Sequence, residues 1–158
     1  MKSLAIQKKI ELHVVIGPAT KKSDFLIDYY NQCPQEIIIH NNIIEMSDFL
    51  LNIDLAICSI GIVSFEIASM GIPAIHITGV EKELETAKSM SDLGVSIDLG
   101  IYGPSLEKIN NIVKKMINNE PLRRRMRDNC LQHFNSSASK DLIELIVKGD
   151  SNEKHQVS

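Results

Sequence analysis

Tryptophan is absent from this 158-residue chain, and only 4% of its residues are aromatic, so its core must be built from Ile, Leu, Val and Ala. Cys33, Cys58 and Cys130 are widely spaced and form no CxxC pair. That pattern excludes a disulfide framework and a cysteine zinc site, and it suits a reducing, cytoplasmic setting. A formal net charge of -3 excludes the broad basic surface that a nucleic-acid partner requires. No apolar run approaches the ~20 residues of a membrane span. The first residues, MKSLAIQKKIELHVVIG, lack a signal-peptide layout. No GxGxxG or GxxxxGK[ST] loop, Ser-His-Asp order or paired catalytic carboxylate is present. No second His or carboxylate stands at metal-ligand spacing beside His13 or His76. The expectation is therefore no metal, no resident cofactor and no assignable catalytic residue.

What remains is an ordinary globular composition, 44% hydrophobic and 23% charged. A chain of this length forms one domain that buries roughly two thirds of its unfolded surface. Short Ile/Val-rich runs alternate with longer helical stretches. Strands are expected at Glu11 to Ile16, Glu36 to His40, Leu55 to Ile57, Ala74 to Ile77 and Val95 to Leu99, each continuous enough to be buried on both faces. Helices are expected at Ser23 to Gln32, Glu45 to Asn52, Val63 to Met70, Lys82 to Leu93, Leu106 to Asn118, Pro121 to Phe134 and Ala138 to Val147. Ser47 is placed to cap the second of these unless its turn begins at Glu45, Asn118-Asn119 to end the fifth, and Pro121 to occupy a first helical position. The alternation specifies an α/β fold: a Rossmann-like parallel sheet of five or six strands with helices on both faces. The domain is expected over residues 1–148, followed by a disordered polar tail over 149–158, GDSNEKHQVS.

The most informative segment is Asp54 to Ile77, DLAICSIGIVSFEIASMGIPAIHI. A strand runs into the turn Ser59-Ile60-Gly61, a helix opens and stops at Gly71, and Ile72-Pro73 leads into the next strand. The N-terminus of such a helix presents unpaired N–H groups that attract phosphate. Gly61 either admits a ligand close to the backbone or simply permits a tight turn. Glu66, about one helical turn on, offers two carboxylate oxygens to a pair of ribose hydroxyls, or is a solvated helix carboxylate. The loop His40 to Met46 leaves the C-terminal edge of the sheet, where open α/β folds bind ligands. Its Ile43 and Ile44 either wall a flat base or tuck back onto the sheet. His13 and His76, within strands, read as packed or hydrogen-bonded, Cys58 as a core filler, and the run Arg123, Arg124, Arg125 and Arg127 as a solvated helix face.

These residues resemble the C-terminal half of GT-B glycosyltransferase-like proteins. Similar types are the UDP-sugar hydrolase of pseudaminic acid biosynthesis, spore-coat polysaccharide proteins, and the transferase that adds N-acetylglucosamine to the lipid-linked peptidoglycan precursor. The resemblance runs from the strand ending at Gly17-Pro18 through IIIHNNIIEMSDFLLNIDLAIC and GIVSFEIASMGIPAIHI to PLRRRMRDNC and SSASKDLIELI. It implies a uridine-nucleotide site, with the base on Asn42, Ile43 and Ile44, the ribose on Glu66, and the diphosphate over Ile60, Gly61, Ile62 and Val63. The ligand implied is UDP or a UDP-sugar, in bacterial surface-glycan biosynthesis. The chemistry would need an N-terminal GT-B domain or a partner chain.

Two positions depart from the family's pattern. The phosphate turn, usually Gly-Gly-Ser-Thr-like, reads Ile60-Gly61-Ile62-Val63 here, and a frequent Asn-Gln pair is replaced at about Lys82-Glu83. Sugar-nucleotide affinity is accordingly expected to be weak. A non-catalytic domain used for assembly or regulation, including as a homodimer, is the competing reading, since Ile60, Ile62 and Val63 suit a protein interface. A dehydrogenase domain fits poorly, because the glycine-rich turn is missing and no acidic residue ends the second strand.

Overall fold

The structure, a computed structural model, describes residues 10–17, 37–41 and 43–134. The helices expected at Ser23 to Gln32 and Ala138 to Val147, the polar tail, Cys33 and Asn42 lie outside the described residues. The chain divides into two compact units, Met1–Phe49 and Leu50–Ser158.

In the first unit, β1 (Leu12–Ile16) and β2 (Ile37–Asn41) pair in parallel, in register from Leu12 opposite Ile37 to Ile16 opposite Asn41. Their positions match the expected strands to within a residue. Their burial does not, because Leu12, Val15 and Ile39 are exposed. A short helix, α1 (Met46–Leu50), follows. Ser47 lies inside its first turn and not at its cap, because the chain is already helical at Met46. The Phe49 N–H donates to the Glu45 carbonyl at 3.4 Å.

The second unit holds β3 (Ala56–Cys58), β4 (Ala74–Thr78) and β5 (Ser96–Ile101), all parallel and in that order. The five described strands thus pair as two parallel sheets, of two and three strands, and not as the single larger sheet the alternation predicts. Of the described strands, β4, central in its sheet, is the most buried. The crossover helices are α2 (Ile62–Ser69) and α3 (Leu84–Asp92), the latter preceded by a 3-10 turn at Glu81–Glu83. After β5 come α4 (Leu106–Asn118) and α5 (Glu120–His133). Asn119 separates this pair and caps α5, its side chain accepting from the Leu122 N–H at 3.0 Å. Pro121 therefore sits second in the helix, where its missing N–H still leaves no bond unmade.

Both crossover helices end in the same way. Gly71 and Gly94 have φ of 73° and 69°. Gly71 donates to the Ala68 carbonyl and Ile72 to Ile67, while Gly94 donates to Ser91 and Val95 to Met90. This paired bonding satisfies the last carbonyls of each helix and turns the chain directly into the next strand. The apolar residues after each glycine, Ile72 and Val95, are buried.

Two right-handed crossovers in one direction place α2 and α3 on the same face of the three-stranded sheet. Ile60, Ala68, Ala87, Met90, Val95 and Cys130 form one core cluster of this unit. On the other face, Ile75 packs with Met116 of α4 and Met126 of α5. Helices therefore cover both faces of the sheet, as an α/β fold with buried parallel strands requires.

Candidate functional site: the turn between β3 and α2

Because β3, β4 and β5 are parallel, the segments that follow them, Ser59-Ile60-Gly61, Gly79-Val80 and Tyr102-Gly103, share the C-terminal edge of the sheet, together with the start of α2. Open α/β folds bind ligands at this edge.

The turn separates its apolar residues by function. Ile60 is buried and belongs to the core cluster with Ala68, Ala87 and Met90, so only its backbone faces outward. Ile62, by contrast, is 81% exposed, and Val63 is exposed beside it. Gly61 is fully extended, with φ 176° and ψ -169°, a conformation open to any residue. A Cβ placed on it would meet no atom within 4 Å. A glycine is thus not required here by the chain's own turn or packing.

Ser64 organises the helix start. Its hydroxyl donates to the Gly61 carbonyl at 2.6 Å and accepts from the Gly61 N–H at 3.2 Å. The Ser64 N–H also donates to the Gly61 carbonyl, at 3.1 Å. The Gly61 amide is therefore engaged internally. Ile62 and Val63, the first residues of α2, supply amides that have no acceptor within the helix. With the helix dipole, they make a small positive pole at the surface.

Glu66 lies on the same outward stripe of α2 as Ile62, Phe65 and Ser69, three to four residues apart. Its carboxylate is exposed, and among the described residues no group bonds it. Glu83, near the position where the family pattern departs, has an internal partner: its carboxylate accepts from the Gly79 N–H at 3.3 Å and closes the loop after β4. In the first unit, Ile44 is 91% exposed and does not tuck back, whereas Ile43 is half-buried.

Tyr102 escapes a reading based on hydropathy. It has φ 55°, an unusual conformation for a tyrosine, fixed by its N–H donating to the Thr78 carbonyl at 2.9 Å. Its ring is 80% exposed at the C-terminal edge. The signal for it is Gly100-Ile101-Tyr102-Gly103-Pro104, a glycine-flanked turn at a strand end.

Other titratable candidates are structural. Burial pushes the Cys58 and Cys130 thiols up to about 11, so neither supplies a thiolate near neutral pH. Cys130 instead lies against the Ile72 and Val95 carbonyls. Arg123 donates to the Met116 and Ile117 carbonyls, and Arg124 pairs with Glu120. A cavity of about 430 Å³, lined by Asp54, Pro73, Arg123 and Arg127 among others, lies at the opposite, N-terminal edge of the sheet.

A parallel sheet with helices on both faces is a Rossmann-like α/β architecture. Solved structures share this fold. The crystal structure of Acinetobacter baumannii MurG superposes with a TM-score of 0.69 at 21% identity, over 90% of this chain and 43% of that one. The glycotransferase of kitacinnamycin gives 0.61 at 18% identity, over 85% and 34%. The spinosyn rhamnosyltransferase SpnG, complexed with spinosyn aglycone, gives 0.59 at 15% identity, over 85% and 36%. The chain spans less than half the length of each, and at these identities the likeness is one of fold. No protein-family profile and no curated protein matches the chain. Among the described residues, no helix is long and apolar enough to cross a membrane.

Proposed function

We propose that this chain is the sugar-nucleotide-binding domain of a GT-B-type glycosyltransferase or UDP-sugar hydrolase, acting in the cytoplasm in bacterial surface-glycan biosynthesis. The observation that carries this reading is the start of α2. Gly61 stands extended with open space where a side chain would be, beside the free amides of Ile62 and Val63, and Glu66 follows on the exposed stripe. In this reading the diphosphate rests on the amides and the ribose hydroxyls donate to Glu66. Phosphate contacts come from backbone alone, because the Ser64 hydroxyl is committed to Gly61. Affinity for UDP is therefore in the millimolar class. Transfer or hydrolysis requires an N-terminal GT-B domain or a partner chain.

The test is calorimetric titration of UDP and UDP-sugars into the wild type and Glu66→Ala. Measurable binding by the wild type and a clear loss in the variant are expected. No binding at millimolar UDP would overturn the reading, and equal affinities would remove Glu66 from the site.

A second reading, a GT-B-like domain used for assembly, is favoured by one observation. The exposed stripe of α2 carries Ile62 and Phe65, with Val63 beside them. Sedimentation separates the two: a tight dimer indifferent to UDP favours assembly.

A further inference from the structure

The first unit holds a cluster of titratable side chains that the nucleotide reading does not use. His13 on β1 and His40 on β2 are brought together by strand pairing. Val15 lies opposite His40, so His13 is its diagonal neighbour on the same sheet face. His13 Nδ1 is 2.8 Å from His40 Nε2. The ring planes differ by 12° with centroids 5.0 Å apart, which, given that nitrogen separation, sets the rings edge to edge. Phe49 packs its ring at a steep angle against both, at centroid distances of 5.8 and 4.8 Å.

Glu11 fixes the proton arrangement. Its Oε1 lies 2.6 Å from His13 Nε2. An ionised carboxylate only accepts, so Nε2 carries the hydrogen and Nδ1 keeps its lone pair. His40 Nε2–H is then the donor into Nδ1. One hydrogen thus lies between two nitrogens that both face the same small volume.

We propose that His13 Nδ1 and His40 Nε2 are the ligands of a divalent, borderline transition-metal ion of the zinc type, with Glu11 as the supporting carboxylate behind His13. Nitrogens at about 2.0–2.1 Å from a tetrahedral ion stand roughly 3.3 Å apart. The separation of 2.8 Å is within reach of that through a small swing of the rings. A carboxylate on the far nitrogen of a ligating histidine is the arrangement that fixes the ring and raises its basicity. Both rings bind as neutral imidazoles: His40 moves its hydrogen from Nε2 to Nδ1, and no net proton is released. Imidazole pairs select zinc, copper or nickel over calcium and magnesium. No group of three or more His, Cys, Asp or Glu suited to hold a metal ion occurs among the described residues, so the two imidazoles are the protein ligands this proposal commits to. The site is independent of the nucleotide reading.

The test is calorimetric titration of ZnCl2 into the full chain at pH 7.5, for wild type, His13→Gln, His40→Gln and Glu11→Gln. The remaining His and Cys residues contribute equally to every titration, so the difference between variants isolates this site. One zinc ion is expected for the wild type, with at least a tenfold loss in each histidine variant and about a tenfold loss in Glu11→Gln. Calcium is expected to give no heat. Circular dichroism verifies the fold of each variant. Glu11 is exposed, so Glu11→Gln decides the matter even where a histidine variant does not fold. Absence of zinc uptake by the wild type, or wild-type affinity in the histidine variants or in Glu11→Gln, would overturn the proposal.

Discussion

The Ser64 hydroxyl grips Gly61 from both sides, donating to its carbonyl at 2.6 Å and accepting from its N–H at 3.2 Å. Gly61 occupies the N-cap of α2 but has no side chain to cap with, so the serine three residues on does the capping alone. Ser64 is fully buried. Ser64→Ala leaves the Gly61 amide without an acceptor and loosens the first turn. The expected destabilisation is about 1–2 kcal/mol, read as a lower urea midpoint at unchanged slope.

Gly61→Ala separates a structural glycine from one reserved for a ligand. Its backbone is extended and a Cβ there meets nothing, so the chain has no steric objection. Alanine is a poorer cap than glycine, but it also restricts the unfolded chain, and the two effects nearly cancel. Stability is expected to change by less than about 0.5 kcal/mol, while UDP affinity falls because the methyl group occupies the space above the amides. Gly71→Ala is the contrast: φ is 73° and a Cβ would stand 3.0 Å from Leu131 Cδ2, so stability falls. Unchanged UDP binding in folded Gly61→Ala would count against the phosphate assignment.

Much of the frame is legible from residue types. Gly71 and Gly94 mark the helix ends because only a left-handed residue makes those paired closures. The α/β alternation follows from short Ile/Val runs between helical stretches. The site is less legible, for physical reasons. Ile60, Ile62 and Val63 read alike in sequence, yet the start of α2 turns Ile60 into the core and Ile62 out to solvent. The partner of His13 is 27 residues away and arrives only through β1–β2 pairing, so linear ligand spacing gives no sign of it. Ser64 reads as an ordinary helix residue, because its role depends on Gly61 having no side chain.

Neighbouring arginines of α5 are expected to differ in weight. Arg123 is half-buried and donates to the Met116 and Ile117 carbonyls at 2.6 and 2.7 Å, closing the C-terminus of α4. Arg124 makes an exposed pair with Glu120 four residues earlier. Bonds from a charged donor to helix-end carbonyls outweigh a solvated ion pair, so Arg123→Ala is expected to cost about 1–2 kcal/mol and Arg124→Ala about 0.5 or less. Chemical denaturation of the two variants side by side checks the ordering.

His76 sets an acid limit on stability. Its ring is fully buried, and among the described residues neither nitrogen has a hydrogen-bond partner. Parallel pairing places Cys58 of β3 on one side and Asp98 of β5 on the other. Burial lowers the pKa of His76 from 6.5, and the charge of Asp98 opposes this less strongly. The sign follows directly. Between the lowered folded value and the ordinary unfolded one, the unfolded chain binds the extra proton and the folded chain does not. Stability is therefore fully present above about pH 6.5 and declines as the pH falls through the window below it. His76→Leu removes both the titration and two orphaned polar atoms. Its urea midpoint at pH 7.5 is expected to equal or exceed that of the wild type, and its decline between pH 6.5 and 5 to be shallower. A wild-type midpoint as high at pH 5 as at pH 7.5, or an identical decline in His76→Leu, would show that the ring does not carry the acid sensitivity.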